Sequence, residues 1–110
     1  MDKIITKLVA LGVPGLVLLV LISVKGLAGA AASVAALAAL GGPWGMLGGI
    51  AALGIMVLVS DALAKYGLDT LFEGVVDGLK EKGMSRAEIR NEIESYPLSK
   101  ALKQKLFQRL

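Results

Sequence analysis

The sequence predicts an all-α membrane protein, and three observations support that class. Of the 110 residues, 55% are apolar and 19% are charged, a balance more apolar than that of most soluble domains. The uncharged stretches are also long enough to form membrane helices. The charges are crowded into the second half, because only four of them precede Asp61: Asp2, Lys3, Lys7 and Lys25. We therefore divide the chain into a membrane-embedded region, residues 1–60, and an amphipathic or soluble region, residues 61–110.

The first apolar helix is predicted over residues 3–24. Residues 8–24 carry no charge and form about 25 Å of helix, which is the lower limit for a membrane span. Lys3 and Lys7 lengthen the element because their side chains can reach the lipid head groups. We expect Pro14 to bend this helix rather than to end it, since neighbouring helices can satisfy the carbonyl that a proline leaves free.

Lys25 is the only charge between the first two apolar segments. We interpret it as a turn lysine at the level of the head groups, because a charge inside the bilayer is costly. An ion path or a lipid contact is the alternative. Lys25 also argues against a secretory signal peptide at the N-terminus, since it separates the apolar run from the small-residue cleavage pattern at residues 28–30.

Residues 26–60 are uncharged and too long for one membrane helix, at about 52 Å against a hydrocarbon core of about 30 Å. We expect the break at GGPWG, residues 41–45, because glycine and proline are poor helix formers and Trp44 favours the membrane interface. The segment is therefore predicted to form a hairpin of two apolar helices, at 26–40 and 45–65.

Small residues recur at helical spacing in this hairpin, in the manner of a glycine zipper. Helices in lipid associate through close backbone approach, so these residues predict helix contacts within one protomer or between copies of a homo-oligomer. The candidate packing residues are Gly26, Gly29, Ala30, Ser33, Gly41, Gly45 and Gly49. The candidate membrane-interface residues are Lys3, Lys7, Lys25 and Trp44.

A first amphipathic helix is predicted from the end of the third apolar helix to residue 82. It either continues that apolar helix or is separated from it by a slight break. Gly67, Gly74 and Gly78 lie within it, and glycine costs about 1 kcal/mol relative to alanine in a helix. These glycines predict a bend or the close approach of a neighbouring helix.

A second amphipathic helix is predicted over residues 86–95. Gly83 fits the C-cap of the preceding helix. Ser85 and Glu88 have the spacing of a capping box, in which each side chain bonds to the other residue's backbone N–H.

The last helix is predicted over residues 100–110. Pro97 ends the helix before it, and Ser99 is its N-cap. Its basic side is a candidate surface for a partner or for lipid, or a solvated face of a small bundle. The candidate surface residues are Lys100, Lys103, Lys105, Phe107 and Arg109.

Much chemistry is excluded by composition, because the chain has no histidine and no cysteine. These absences remove imidazole catalysis, thiol nucleophiles and the usual zinc ligands. The glycine-rich turn lacks the lysine and hydroxyl of a phosphate-binding loop. We expect a non-enzymatic protein with no cofactor and no metal. Residues 61–110 carry a net charge of only +1, nine basic against eight acidic residues, so no nucleic-acid binding is expected either.

The leading functional hypothesis is a self-assembling small integral membrane protein, multi-pass or hairpin, that forms a pore or permeabilises the bilayer. It shares size and composition, but no motif, with small toxins, holin-like proteins and cell-death effectors. The first alternative is a membrane anchor or accessory subunit that recruits a partner through residues 61–110. The second is a soluble helical bundle that buries its apolar half and inserts on command. The side of the membrane on which the C-terminus lies stays open.

Overall fold

A computed structural model describes the backbone of residues 1–47 and 50–110, and the side chains of 1–45, 47 and 53–110. Within these residues all regular structure is helical, which confirms the all-α class. The α-helices are α1 (Asp2–Ala10), α2 (Val13–Ala39), α3 (Ile50–Tyr66), α4 (Leu68–Glu81), α5 (Arg86–Ser95) and α6 (Lys100–Arg109), with a 3-10 helix, Gly42–Leu47, between α2 and α3.

The N-terminal apolar segment forms two helices rather than one bent helix. α1 ends at Ala10, and Gly12 follows with a φ of +75° while its N–H donates to the Val9 carbonyl at 2.9 Å. Pro14 stands in the first turn of α2, where a missing N–H leaves no hydrogen bond unmade. The prediction that Pro14 bends a helix over 3–24 is therefore wrong, because the chain turns at Gly12 and Pro14 starts the next helix.

α2 is bent at Gly26, whose φ of 74° and ψ of 177° lie far from helical values. The bend confirms the predicted break between the first two apolar helices. It divides α2 into an inner arm, residues 13–25, and an outer arm, residues 27–39. Each arm rises only about 20 Å, against about 30 Å for a hydrocarbon core. Taken as a whole, α2 is the one described helix that is long and apolar enough to cross a membrane. Half of its most apolar 18-residue stretch is buried inside the molecule.

The inner arm lies at the centre of the molecule. Residues 13–22 are all buried, and α2 contacts each of the other five α-helices. A helix that is apolar all round requires such cover on every side. Part of the cover comes from buried apolar side chains of the three amphipathic helices: Leu71, Phe72, Val75, Val76, Leu79, Ile89, Ile93, Leu102 and Leu106. The two predicted regions, 1–60 and 61–110, thus share one hydrophobic core.

The predicted break after the outer arm is confirmed. α2 ends at Ala39, and Gly41 and Gly42 both have a positive φ, 79° and 63°. Residues 45–47, which the sequence had suggested for the third apolar helix, belong to the 3-10 helix instead, and α3 is described from Ile50 onward.

Helix ends in the second half follow the predicted local chemistry. Gly83 has a φ of +98° immediately after α4. The Ser85 Oγ accepts from the Glu88 N–H at 3.1 Å while a Glu88 carboxylate oxygen accepts from the Ser85 N–H at 3.1 Å, which completes the capping box. The Ser99 Oγ accepts from the Leu102 N–H at 3.2 Å at the start of α6.

α3 and α4 are separate helices, because Gly67 between them has a φ of +85°. The two later glycines of α4 face α1, where Gly74 meets Ile5 and Gly78 meets Val9. Of the two roles predicted for these glycines, Gly67 thus provides a break in the chain, and Gly74 and Gly78 permit the close approach of a neighbouring helix.

Candidate functional site

The outer arm of α2 and the helix α3 present a surface without charge. Its inward side chains belong to the core, with Ala30, Val34 and Leu37 from the outer arm and Met56 and Val59 from α3. The exposed residues of these two elements between Lys25 and Asp61, together with Leu40 directly after α2, are called the uncharged face: Leu27, Ala28, Ala32, Ala35, Ala36, Ala39, Leu40, Leu53, Gly54, Val57 and Leu58.

Exposed apolar side chains are concentrated in this part of the molecule. In the part of the chain whose side chains are described, six of the seven large apolar residues that are exposed lie within residues 24–58. The extremes are Leu40, 71% exposed, and Leu53, 51% exposed. Scattered apolar residues are ordinary on a protein surface, but a concentration of them is typical of a surface that contacts a membrane or another protein.

Three of the predicted packing residues lie on the outer arm close to other groups. Ala30 is completely buried and packs inside the protomer. Gly29 is half-buried, and a side chain at this position would collide with the Cβ of Lys25 at 2.9 Å. Ser33 is half-buried and accepts a hydrogen bond.

The other predicted packing glycines lie at bends and turns. Gly26 forms the bend in α2, Gly41 follows its C-terminus, and Gly45 is exposed in the 3-10 helix. A Cβ at any of these three positions would meet no described atom within 4 Å, so these glycines show no close packing against the helices that the structure describes. Gly49 lies outside the described residues.

A different set of small residues lies on the outside of the outer arm. Ala28, Ala32, Ala36 and Ala39 follow one another at helical spacing and are all exposed. Sequence reasoning missed this stripe because the segment is alanine at most positions, and periodicity can assign a face only where bulky and small residues alternate.

Lys25 lies at the bend and reaches across it. Its Nζ donates to the Ser33 Oγ at 3.1 Å, which links the two arms of α2. In the part of the chain that the structure describes, no carboxylate lies within ion-pairing distance of this ammonium group. Lys3 and Lys7, the other predicted interface lysines, are exposed on α1.

Trp44, predicted at the membrane interface, is instead buried in this structure, with 2% of its surface exposed. Its ring packs edge-to-face on Tyr96, with centroids 5.2 Å apart and planes 73° apart. The Tyr96 hydroxyl donates to a Glu92 carboxylate oxygen. Burial, followed by this hydrogen bond and the charge of Glu92, raises the pKa of Tyr96. The aromatic pair joins the turn after α2 to the end of α5.

Three of the five residues predicted as a partner or lipid surface hold α6 in place. The Arg109 Nε lies 3.2 Å from an Asp69 carboxylate oxygen, and the Lys103 Nζ donates to the Glu94 carbonyl at 2.9 Å. Phe107 is half-buried beneath the Arg90 guanidinium, 4.4 Å from the ring centroid. Only Lys100 and Lys105 of the five are exposed without such a contact among the described residues.

Comparisons with known proteins found no relative of the chain. No protein-family model, no curated protein and no solved structure matches the chain. Function is therefore inferred from the uncharged face, the bend in α2 and the helices around the inner arm.

Proposed function

We propose that the protein is a self-assembling membrane protein that permeabilises the bilayer, and that the conformation described here precedes full insertion. The observation that carries the proposal is the uncharged face, whose exposed leucine and valine side chains lie on or directly beside α2 and α3, two helices in contact with each other. Burying apolar surface in lipid is favourable by about 25 cal/mol per Å². A molecule with one uncharged face and charged helices elsewhere is suited to bind a membrane through that face.

Full insertion requires the inner arm to exchange its protein neighbours for lipid. Neither arm of α2 is long enough to cross the bilayer alone. A straight α2 of 27 residues would rise about 40 Å and span it with some tilt. Straightening at Gly26, together with withdrawal of the amphipathic helices from the inner arm, is therefore the conformational step that the proposal needs.

Assembly is assigned to the outward alanine stripe of the outer arm. Ala28, Ala32 and Ala36 carry side chains small enough to let a second helix come close. In lipid, such close packing replaces the hydrophobic effect as the main source of helix association. The stripe therefore supports contacts between copies, whereas Ala30 packs within the protomer.

The alternative, an anchor or accessory subunit, uses the same uncharged face but needs a partner on the C-terminal helices. The exposed side of α6, which includes Lys100, Gln104 and Lys105, is the surface available for it. Co-purification of one stoichiometric partner with a chain that leaves vesicles sealed would favour this role.

The test is dye leakage from neutral phosphatidylcholine vesicles, paired with the mass of the detergent-solubilised protein. Val57→Lys places a charge on the uncharged face at an exposed site, and Thr70→Lys adds the same charge to the exposed side of α4. A lysine in the middle of a membrane helix costs about 3 kcal/mol, so Val57→Lys should slow leakage at least about tenfold. Thr70→Lys should behave as the wild type. A monomer that leaves vesicles sealed, or equal leakage by both variants, contradicts the proposal.

A further inference from the structure

A cleft of about 260 Å³ lies between the two arms of α2 and the start of α6. Most of its wall is apolar, with Leu37 from the outer arm, Leu40 directly after it, and Leu98 and Leu102 from the C-terminal part of the chain. The volume is just below the range of about 300–1,000 Å³ typical of small-molecule sites. The cleft is therefore suited to a slender ligand such as one acyl chain.

The polar groups of the cleft are concentrated at one position. Lys25 is the only charged residue among those that line it, and Ser33 stands beside it. The Lys25 Nζ donates to the Ser33 Oγ, so the Ser33 hydroxyl proton is left to donate to a third group. α6 begins in the same wall, and a helix N-terminus carries partial positive charge. The electrostatics of the cleft therefore favour an anion.

One side chain of the cleft is left open to solvent to an unusual degree. Leu40 is 71% exposed, although its neighbour Leu37 in the same wall is buried. An acyl chain in the cleft would cover Leu40 and pair the Lys25 ammonium at the same time. A neutral apolar ligand would cover Leu40 but leave the Lys25 ammonium unpaired. A small hydrophilic anion would pair the ammonium but leave Leu40 exposed.

We propose that this cleft binds one acyl chain of an anionic amphiphile, with the carboxylate or phosphate oxygens on Lys25 and Ser33 and the chain along Leu37, Leu40, Leu98 and Leu102. The inference goes beyond membrane permeabilisation, because the cleft needs neither assembly nor insertion to be occupied. Two sources supply this chemistry: a free fatty acid, and an acyl chain with the head group of an anionic phospholipid.

The first experiment titrates the full-length chain with decanoate and with decanol, at one fixed concentration of uncharged detergent so that competition is equal for all variants. Trp44, the only tryptophan, reports binding because Leu40 lines both this cleft and the depression around Trp44. Native mass spectrometry gives the stoichiometry. We expect saturable one-to-one binding in which decanoate binds about fivefold more tightly than decanol.

The variants separate the two parts of the site. Lys25→Met should weaken decanoate to the level of decanol without changing decanol, whereas Lys7→Met, which removes an exposed lysine from α1, should change neither ligand. Ala36→Phe fills the cleft from an exposed position and should weaken both ligands. Because Ala36 also belongs to the alanine stripe assigned to assembly, this variant is used for ligand titration and not for the leakage assay. Circular dichroism of each variant checks that the fold is kept.

Flotation of the same variants with phosphatidylglycerol or phosphatidylcholine vesicles distinguishes the two sources. Decanoate binding that depends on Lys25 identifies a free fatty acid as sufficient. Dependence on Lys25 seen only with phosphatidylglycerol identifies the phospholipid head group. Equal decanoate and decanol affinities in the wild type, with vesicle binding that Lys25→Met and Lys7→Met alter equally, would overturn the proposal. Vesicle leakage is measured separately, so failure of the ligand-binding proposal can be distinguished from failure of the permeabilisation proposal.

Discussion

Val9 of α1 lies against Gly78 of α4 so closely that a Cβ at position 78 would stand 2.5 Å from the Val9 Cγ2. The second methyl carbon of Val9 would be at 3.3 Å and its Cβ at 3.5 Å. Valine has one strongly preferred rotamer in a helix, so Val9 cannot easily turn its methyl groups away from this contact. This contact fixes the distance between α1 and α4, which both cover the inner arm of α2.

Gly78→Ala should therefore destabilise the fold. Alanine gains about 1 kcal/mol in helix propensity, but overpacking a rigid contact costs about 1–3 kcal/mol. We expect a net loss of about 1 kcal/mol in the free energy of unfolding, measured by urea denaturation. Adding Val9→Ala to Gly78→Ala should remove the collision, so the two substitutions should be strongly non-additive.

Gly74→Ala is the matched control on the same helix. The nearest atom there is the Cδ1 of Ile5, the end of a flexible side chain that is only half-buried. Ile5 can move aside, so the gain in propensity should offset the crowding and leave stability within about 0.5 kcal/mol of the wild type. Equal losses for Gly74→Ala and Gly78→Ala would show that the rigidity of Val9 is not the cause.

Arg86 connects three helices at one point. Its Nη2 lies 3.0 Å from a Glu73 carboxylate oxygen, and its Nη1 donates to the Arg109 and Leu110 carbonyls at 3.4 Å. Both charged groups are partly exposed, so Arg86→Ala should cost less than about 1 kcal/mol. The effect should be local, with faster hydrogen exchange of the last amides of α6.

Arg86→Lys tests whether the forked shape of the guanidinium matters. A single ammonium group cannot hold the Glu73 carboxylate and the end of α6 at once. The last amides of α6 should therefore exchange in Arg86→Lys almost as fast as in Arg86→Ala. Wild-type exchange rates in Arg86→Lys would mean that a positive charge alone is enough. High salt should reduce the difference between wild type and Arg86→Ala, because exposed ion pairs are screened.

Local chemistry made the second half of the chain predictable. A capping box or a serine N-cap depends on residues three positions apart, so Ser85 and Ser99 could be assigned without the fold. The same holds for Gly83, where a glycine tolerates a φ that other residues avoid. The break near Gly26 was expected from Lys25, the only charge between the first two apolar segments, whereas Gly26 itself was predicted to pack against another helix. Pro14 was placed wrongly because the nearby Gly12 offered an earlier turn, after which a proline fits the first turn of a helix.

The candidate site was less predictable, because its geometry depends on partners far away in sequence. Tryptophan is a residue type that favours the membrane interface, but Trp44 is covered by Tyr96 at the end of α5. Nothing near Trp44 in the sequence indicates that contact. The cleft beside Lys25 likewise needs Leu98 and Leu102, which the sequence alone assigns only to the last helix.

Gly26→Ala tests the bend in α2. Nothing described lies within 4 Å of a Cβ there, so the cost is conformational alone, about 1–3 kcal/mol for a backbone region that favours glycine. The structure with the bent α2 should be destabilised by this amount, whereas a straight α2 should gain helix propensity from the alanine. If insertion requires straightening, vesicle leakage should become faster in Gly26→Ala.

Gly67→Ala separates straightening from general loosening. Gly67 has a similar conformation, with φ 85° and ψ 158°, and also has open space around it. It lies between α3 and α4, so its substitution should destabilise the fold by a comparable amount without extending α2. Equal acceleration of leakage by Gly26→Ala and Gly67→Ala would assign the effect to lost stability instead of to the bend.

Tyr96 should make the fold sensitive to alkaline pH. Burial, the hydrogen bond to Glu92 and the charge of Glu92 raise its pKa in the folded chain, whereas in the unfolded chain a tyrosine ionises near pH 10. Above about pH 10 the unfolded chain therefore binds fewer protons than the folded chain, and the free energy of unfolding falls as pH rises, by at most about 1.4 kcal/mol per pH unit for this group.

Tyr96→Phe removes this contribution. Its urea midpoint, followed by circular dichroism from pH 7 to 11, should fall less steeply than that of the wild type or of Tyr66→Phe, which keeps Tyr96. Parallel losses in the three proteins would mean that the Tyr96 proton is not linked to folding.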